Sequence, residues 1–294
     1  MSRPRRSLLF MPGSNPRALK RARSLGADGF IVDLEDAVAP EAKEGARSIV
    51  AAALVEGGYG GREIVLRVNA IDTPWGHGDL AAAASMAIDA VLLPKVESAE
   101  RVRLTVSLLD ALGAPEQLAV WCMLETPRAI LYAREIAAAS SRLGALVLGT
   151  SDLSKDLHAL ATHDRVPLLT SLSLAILAAR AYGLAILDGV HLNIADETGL
   201  AASCRQGREL GFDGKTLIHP SQIAAANAAF APSNEEIEWS RRIIAAHAEA
   251  IAAGKGVALV DGRLIENLHV ENARRLLDLA AEIERLHPSV KDSS

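Results

Sequence analysis

Short apolar runs alternate along this chain with longer segments rich in Ala, Leu, Glu and Arg at helical spacing, the pattern expected of repeated strand–helix units around a parallel sheet. The runs read as strands are Ser7 to Met11, Gly29 to Asp33, Ile64 to Val68, Ala90 to Leu93, Leu118 to Leu124, Ala145 to Leu148, Ala185 to Val190 and Lys215 to Ile218. Eight such strands, ending near Ala229, fit a TIM (β/α)8 barrel over residues 1–230. A dinucleotide-binding sheet would need a glycine-rich first turn, and that turn is here Met11-Pro12-Gly13-Ser14-Asn15-Pro16. Residues 231–294 read as an extension: a helix from Asn234 to Ala253, a hairpin over Gly256 to Ile265 turning at Asp261-Gly262, and an amphipathic helix from Glu271 to Leu286. This piece is surplus to a barrel and is expected to pack as a flap.

Composition narrows the class. Of 294 residues, 50% are apolar and 23% charged, which fits a globular enzyme. A net charge of -5 with only three Trp, three Tyr and four Phe supplies neither a basic stripe nor a stacking surface, so nucleic acid is not an expected partner. Arg3, Arg5 and Arg6 precede an apolar run of only Leu8 to Met11, too short for a signal-peptide core or a membrane span. The expectation is a cytoplasmic protein without a membrane partner. Cys122 and Cys204 lie far apart and form no CxxC motif, so they read as inert buried thiols in a reducing compartment.

In a barrel the working side chains sit where strands end. Polar residues follow the apolar runs at Asp33-Leu34-Glu35-Asp36, Arg67-Val68-Asn69, Pro94-Lys95-Val96-Glu97, Glu125-Thr126-Pro127, Thr150-Ser151-Asp152 and Asp188-Gly189. Glu125 and Asp152 end neighbouring strands, and a partial set of oxygen ligands suits Mg²⁺, which keeps several waters or substrate oxygens. Each carboxylate is equally a candidate helix cap. Arg67 could bind a carboxylate or stabilise an enolate oxygen, or form a structural ion pair with Glu35 or Asp36. A barrel-mouth Lys95 or Lys215 raises the competing chemistry of a Schiff base. Gly214-Lys215-Thr216 lacks the glycine that a phosphate loop needs at Glu209. No zinc motif appears, and His191, His219 and His269 read as structural residues.

In order and spacing, several of these segments resemble the citrate lyase beta-subunit-like branch of the HpcH/HpaI aldolase superfamily, which includes malyl-CoA, citramalyl-CoA and citryl-CoA lyases. The resemblance is carried by Arg6 to Gly13, Asp33 to Val38, Leu66 to Asn69, Leu93 to Glu97, Leu124 to Pro127, Gly149 to Leu153, and Gly214 to Pro220 with Gln222. It implies a barrel of the phosphoenolpyruvate/pyruvate-domain type, Mg²⁺ (or Mn²⁺) on Glu125 and Asp152, substrate contact by Arg67 and Glu125, and Glu35 and Asp36 holding Arg67 and the waters of the metal site. CoA, as part of the substrate, would approach Pro12, Gly13 and Ser14, with Lys95 nearby. The family's C-terminal flap offers an aspartate in a Met-Ile-Asp-x-Pro setting as general acid, and the matching stretch here is Leu264-Ile265-Glu266-Asn267-Leu268. Glu266 therefore stands where the family has aspartate, and Leu268 where it has proline. Ser151 precedes Asp152 where malyl-CoA and citramalyl-CoA lyases carry Gly-Glu-Asp-Phe.

The function so implied is Claisen-type cleavage of a 3-hydroxyacyl-CoA to acetyl-CoA and a 2-oxo acid by a homo-oligomer, a trimer or hexamer. The alternatives are a metal-dependent aldolase on free hydroxy-oxo acids, an acyl-CoA thioesterase or synthase, and a citrate lyase beta subunit that works within a complex.

Overall fold

The computed structural model describes residues 3–288. Its chain runs β1 (Ser7–Pro12), α1 (Pro16–Ala22), β2 (Gly29–Asp33), α2 (Lys43–Glu56), β3 (Glu63–Arg67), α3 (Gly76–Ala83), β4 (Ala90–Leu93) and α4 (Ala99–Ala111). It continues through β5 (Ala119–Leu124), α5 (Pro127–Leu131), α6 (Ala133–Ala137), β6 (Leu143–Leu148), α7 (Thr150–Asp156), α8 (Leu169–Ala181), β7 (Ala185–Asp188), α9 (Glu197–Leu210), β8 (Gly214–Leu217) and α10 (Ile223–Phe230). Last come α11 (Asn234–Ala252), β9 (Ala258–Val260), β10 (Arg263–Ile265) and α12 (Asn267–Leu286). The first eight strands pair in parallel in sequence order, and β1 closes on β8. The expected (β/α)8 barrel is the fold.

Two compact units divide the chain: Arg5–Phe230, and a second comprising Met1–Pro4 with Ala231–Ser294. Among the described residues no helix is long and apolar enough to cross a membrane.

Side chains on a strand alternate between its faces. Leu8, Ile31, Val65, Leu92, Trp121, Met123, Val147 and Leu187 fill the barrel interior, whereas Leu9, Phe30, Val32, Leu66 and Val91 pack outward beneath the helices. The floor is closed by Arg5, which grips Glu63 at 2.7 and 2.8 Å and lies 5.1 Å from the Trp121 ring centre. Extending the interior parity of Ile31 and Val65 by two residues brings Asp33 and Arg67 to the C-terminal rim, and the β2–β3 register sets them side by side.

Strand ends differ from the sequence reading in informative places. β6 begins at Leu143 rather than Ala145, because Gly144 interrupts the apolar run while a register shift between Val120 and Trp121 accommodates the longer strand. β3 spans Glu63–Arg67, one residue earlier than expected, since buried Glu63 is paired by Arg5. β7 stops at Asp188 instead of Val190. There the Asp188 carboxylate accepts from Lys215 Nζ at 2.8 Å and from Arg165 Nη1 at 2.8 Å, all within the layer between the strands and their helices. Lys215 is fully buried in that ion pair, so it is removed from the candidates for Schiff-base chemistry at the mouth.

The second unit has its own small core of Ile243, Ala258, Val260, Ile265, Val270 and Ala273. Its hairpin turns through Asp261 (φ 46°) and Gly262 (φ 75°), two left-handed residues of the kind that a tight two-residue loop demands. α12 begins four residues before the expected Glu271, because Glu266 takes the N-cap position and its N–H donates to His269 Nδ1 at 3.0 Å.

Removing one member of a buried ion pair strands its partner. Lys215→Met, which leaves Asp188 with Arg165 alone, is expected to lower unfolding free energy by about 3 kcal/mol in a urea titration; a change under about 0.5 kcal/mol would mean that the lysine contributes nothing net.

Candidate active site

Arg67 dominates the mouth of the barrel. Its Nε and Nη2 donate to the two oxygens of Asp33 at 2.7 and 2.6 Å, a bidentate fork between neighbouring strand ends. Nη1 lies 3.0 Å from Glu35 Oε2 and 3.4 Å from Asp36 Oδ2, and the guanidinium carbon sits 4.8 Å from the Phe10 ring centre. Burial works against the charge of Arg67, but the hydrogen bonds and charge of Asp33 outweigh it and hold the pKa above the ordinary arginine value.

The sequence reading offered Glu35 or Asp36 as the arginine's partner. The principal one is Asp33, with the other two at longer range. Asp33 also accepts from the backbone N–H groups of Glu35 and Ala37 at 2.9 Å, so one carboxylate shapes the loop and fixes the arginine. Strand alternation was the signal: Asp33 shares the inward parity of Ile31, whereas Glu35 and Asp36 follow the strand's end.

Glu125 lies at the end of β5 and is buried. It caps no helix, because Thr126 performs that task by accepting from Ala129 N–H with Pro127 in the first turn. Asp152 lies within the first turn of α7, whose N-cap is Gly149. Oε1 of Glu125 accepts from the Lys95 backbone N–H at 2.6 Å. Its other oxygen rests against Gly149, where an added Cβ would stand 2.5 Å away. Burial pushes the Glu125 carboxyl up to about 7, Glu35 adds to the rise, and the Lys95 N–H, the Lys95 ammonium and Arg67 oppose it.

Lys95 joins the carboxylates. Its backbone is left-handed (φ 49°), and its ammonium donates to Glu35 Oε1 at 2.8 Å and lies 4.0 Å from Asp152 Oδ2. Glu97, two residues further on, accepts from the Thr126 hydroxyl at 2.8 Å. Burial also raises the Glu35 carboxyl and Asp36 reinforces the rise, against the pull of Arg67 and Lys95.

No cluster of three or more His, Cys, Asp or Glu side chains forms a metal cage among the described residues. Glu125 and Asp152 do fit a cation that retains much of its own oxygen shell. Burial holds the Glu125 carboxyl up at about 7, so a cation beside it would favour its ionised form, and the absent Cβ at Gly149 is what lets the carboxylate lie against that backbone.

Pro12, Gly13 and Ser14 form the β1–α1 turn. Gly13 N–H donates to Asp33 O at 2.8 Å, and a Cβ there would meet the same oxygen at 2.8 Å. The turn is thus seated against the residue that clamps Arg67. Glu266 is exposed and belongs to the second unit. Cys122 and Cys204 are buried. His219 caps a short turn by accepting from Ser221 N–H at 3.2 Å, and His269 serves α12 as described, in keeping with structural roles.

Fold and mouth together define the class: a (β/α)8-barrel enzyme whose charged side chains gather at the C-terminal ends of its strands. The chain belongs to the HpcH/HpaI aldolase/citrate lyase family, whose model matches residues 6–220. It is 48% identical over 286 residues to a (3S)-malyl-CoA thioesterase of Cereibacter sphaeroides (strain KD131 / KCTC 12085), covering 97% of this chain and 98% of that protein. Identity is 37% to citrate lyase subunit beta of Leuconostoc mesenteroides subsp. cremoris, with 95% and 94% covered. Among solved structures, CitE from Mycobacterium tuberculosis in complex with magnesium, acetoacetate and coenzyme A superposes with a TM-score of 0.75 at 32% identity, covering 94% of this chain and 97% of that one.

Gly149→Ala drives a methyl group into the Glu125 carboxylate. Displacing a reacting group by about 1 Å costs roughly 10²-fold in rate, so turnover is expected to fall by about that factor while the circular dichroism spectrum is retained. Wild-type turnover in this variant would show that the position of Glu125 is immaterial.

Proposed function

We propose that the chain cleaves a small 3-hydroxyacyl-CoA of the malyl, citramalyl or citryl kind into acetyl-CoA and a 2-oxo acid. The observation that carries this reading is the grouping of Glu125 and Asp152 around Lys95, beside an arginine locked in place by Asp33. The name of the (3S)-malyl-CoA thioesterase relative supports a CoA thioester of a hydroxy acid as substrate.

Glu125 and Asp152 would hold Mg²⁺, or Mn²⁺ in its place. That ion supplies Lewis-acid polarisation of the substrate's hydroxyl and carboxylate oxygens. Asp36, the most exposed acid of the arginine cluster, receives the hydroxyl proton. As the carbon–carbon bond breaks, its electron pair moves to the thioester carbonyl, and Arg67 stabilises the enolate oxygen. The guanidinium's charge is fixed and its fork already bound, so little reorganisation is needed as charge develops. Glu266 from a neighbouring subunit of a trimer or hexamer gives its proton to the enolate carbon, completing acetyl-CoA. The turn Pro12, Gly13 and Ser14 and the Lys95 side chain lie along the approach of CoA.

A second reading is hydrolysis of the thioester in the same pocket, favoured by the 48% identity to a protein named for that reaction. Malyl-CoA, Mg²⁺ and the purified chain separate the two: cleavage releases glyoxylate, which phenylhydrazine detects, whereas hydrolysis releases malate and a free thiol. Glyoxylate without thiol is the expected result, and thiol without glyoxylate overturns the lyase reading. Glu125→Gln and Asp152→Asn are each expected to abolish glyoxylate release.

The metal competes with a proton for Glu125. Because burial raises that carboxyl to about 7, it is protonated below this pH and ionised above it. Mg²⁺ affinity is therefore expected to weaken about tenfold per pH unit on going below neutrality and to level off above it. Calorimetric titrations giving equal affinity near pH 6 and near pH 8 would exclude Glu125 as the titrating ligand.

A further inference from the structure

Lys95 combines a rigid half and a mobile half. Its left-handed backbone (φ 49°) is a conformation that a lysine adopts only where its surroundings impose it, and here it aims the N–H at Glu125 Oε1 from 2.6 Å. That hydrogen bond favours the ionised carboxylate. Beyond the fixed Cα, a flexible stem carries the ammonium to Glu35 Oε1 at 2.8 Å and to within 4.0 Å of Asp152 Oδ2, with the side chain 45% exposed. Arg67, by contrast, is forked onto Asp33 by two hydrogen bonds and only 7% exposed, so it has no route away.

We propose that the Lys95 ammonium and a divalent cation are competing counter-ions of one carboxylate cluster, so that Lys95 sets how tightly the mouth holds its metal and is driven off Glu35 and Asp152 as the ion enters. This rests on the reading that Glu125 and Asp152 take that ion. Two like charges within one cluster repel at distances well inside the screening length of physiological salt, about 8 Å. The lysine can yield because its stem rotates toward solvent, and its half-exposed ion pairs are of the weak kind. Backbone and side chain thus act in opposite senses: the N–H prepares Glu125 for the cation, and the ammonium moderates the affinity so that the ion and its ligands can exchange.

The test is calorimetric titration of Mg²⁺, without substrate, into wild type, Lys95→Met and Lys95→Arg, each first stripped with EDTA and dialysed. Removing a competing charge tightens binding, whereas losing a structural prop would weaken it. Lys95→Met is expected to bind about three- to tenfold tighter than wild type, the range of one or two weak ion pairs, and Lys95→Arg to stay within about twofold of it. Unchanged or weaker binding by Lys95→Met overturns the proposal while leaving the metal site intact. No Mg²⁺ binding by wild type overturns both. A measurement on unmutated protein stands beside these: with ¹³Cε-labelled lysine, the Lys95 signal, assigned by its loss in Lys95→Arg, is expected to move toward the free-lysine position as Mg²⁺ is added. A signal unmoved at saturation also overturns the proposal.

Discussion

The double hydrogen bond between Asp33 and Arg67 is the constraint on which the mouth of this barrel depends. It joins adjacent strand ends, and each partner is the last inward-facing position of its strand. An arginine buried this deeply must be neutralised where it lies. By meeting that need with a fork of fixed geometry, Asp33 holds the guanidinium in one place, with its remaining edge facing the other acids. The same aspartate accepts from two backbone N–H groups of its own loop, and its carbonyl accepts from Gly13. Arginine, acidic loop and first turn are thus joined through one residue.

Charge balance at the mouth is tuned rather than cancelled. Glu35, Asp36, Glu125 and Asp152 face two cations, Arg67 and Lys95, and the arginine is largely spent on Asp33. Burial is what chiefly lifts the Glu125 and Glu35 carboxyls, and the neighbouring acids add to it. This arrangement is confined to the C-terminal ends of β2 to β6. Elsewhere, buried charges such as Lys215 with Asp188, or Arg6 with Asp28, are matched by hydrogen bonds and locked between strands and helices. Buried charge serves architecture at the floor and in the outer layer, and chemistry only where solvent and substrate can reach it.

Membership of the family fixes the scaffold more firmly than the reaction. Relatives named for a thioesterase and for a citrate lyase subunit both match almost the full length of the chain. Glu266 stands in the stretch Leu264 to Leu268, where the resemblance places an aspartate. A glutamate is one methylene longer than an aspartate and has a similar intrinsic acidity.

Periodicity in the sequence pointed to a parallel sheet flanked by helices, and the count of eight strands with a first turn lacking the glycine-rich dinucleotide pattern selected the barrel. It also located the polar strand ends, since a polar residue directly after an apolar run has only the rim to occupy. The tertiary structure alone decided which of those residues meet. Asp33 became the partner of Arg67 through a cross-strand register, Lys215 was withdrawn from the mouth by Asp188, and Lys95 acquired its bridging role through a left-handed backbone that no local propensity favours. Contacts of that kind depend on how separate strands align in space, and spacing along a single chain carries no record of that alignment.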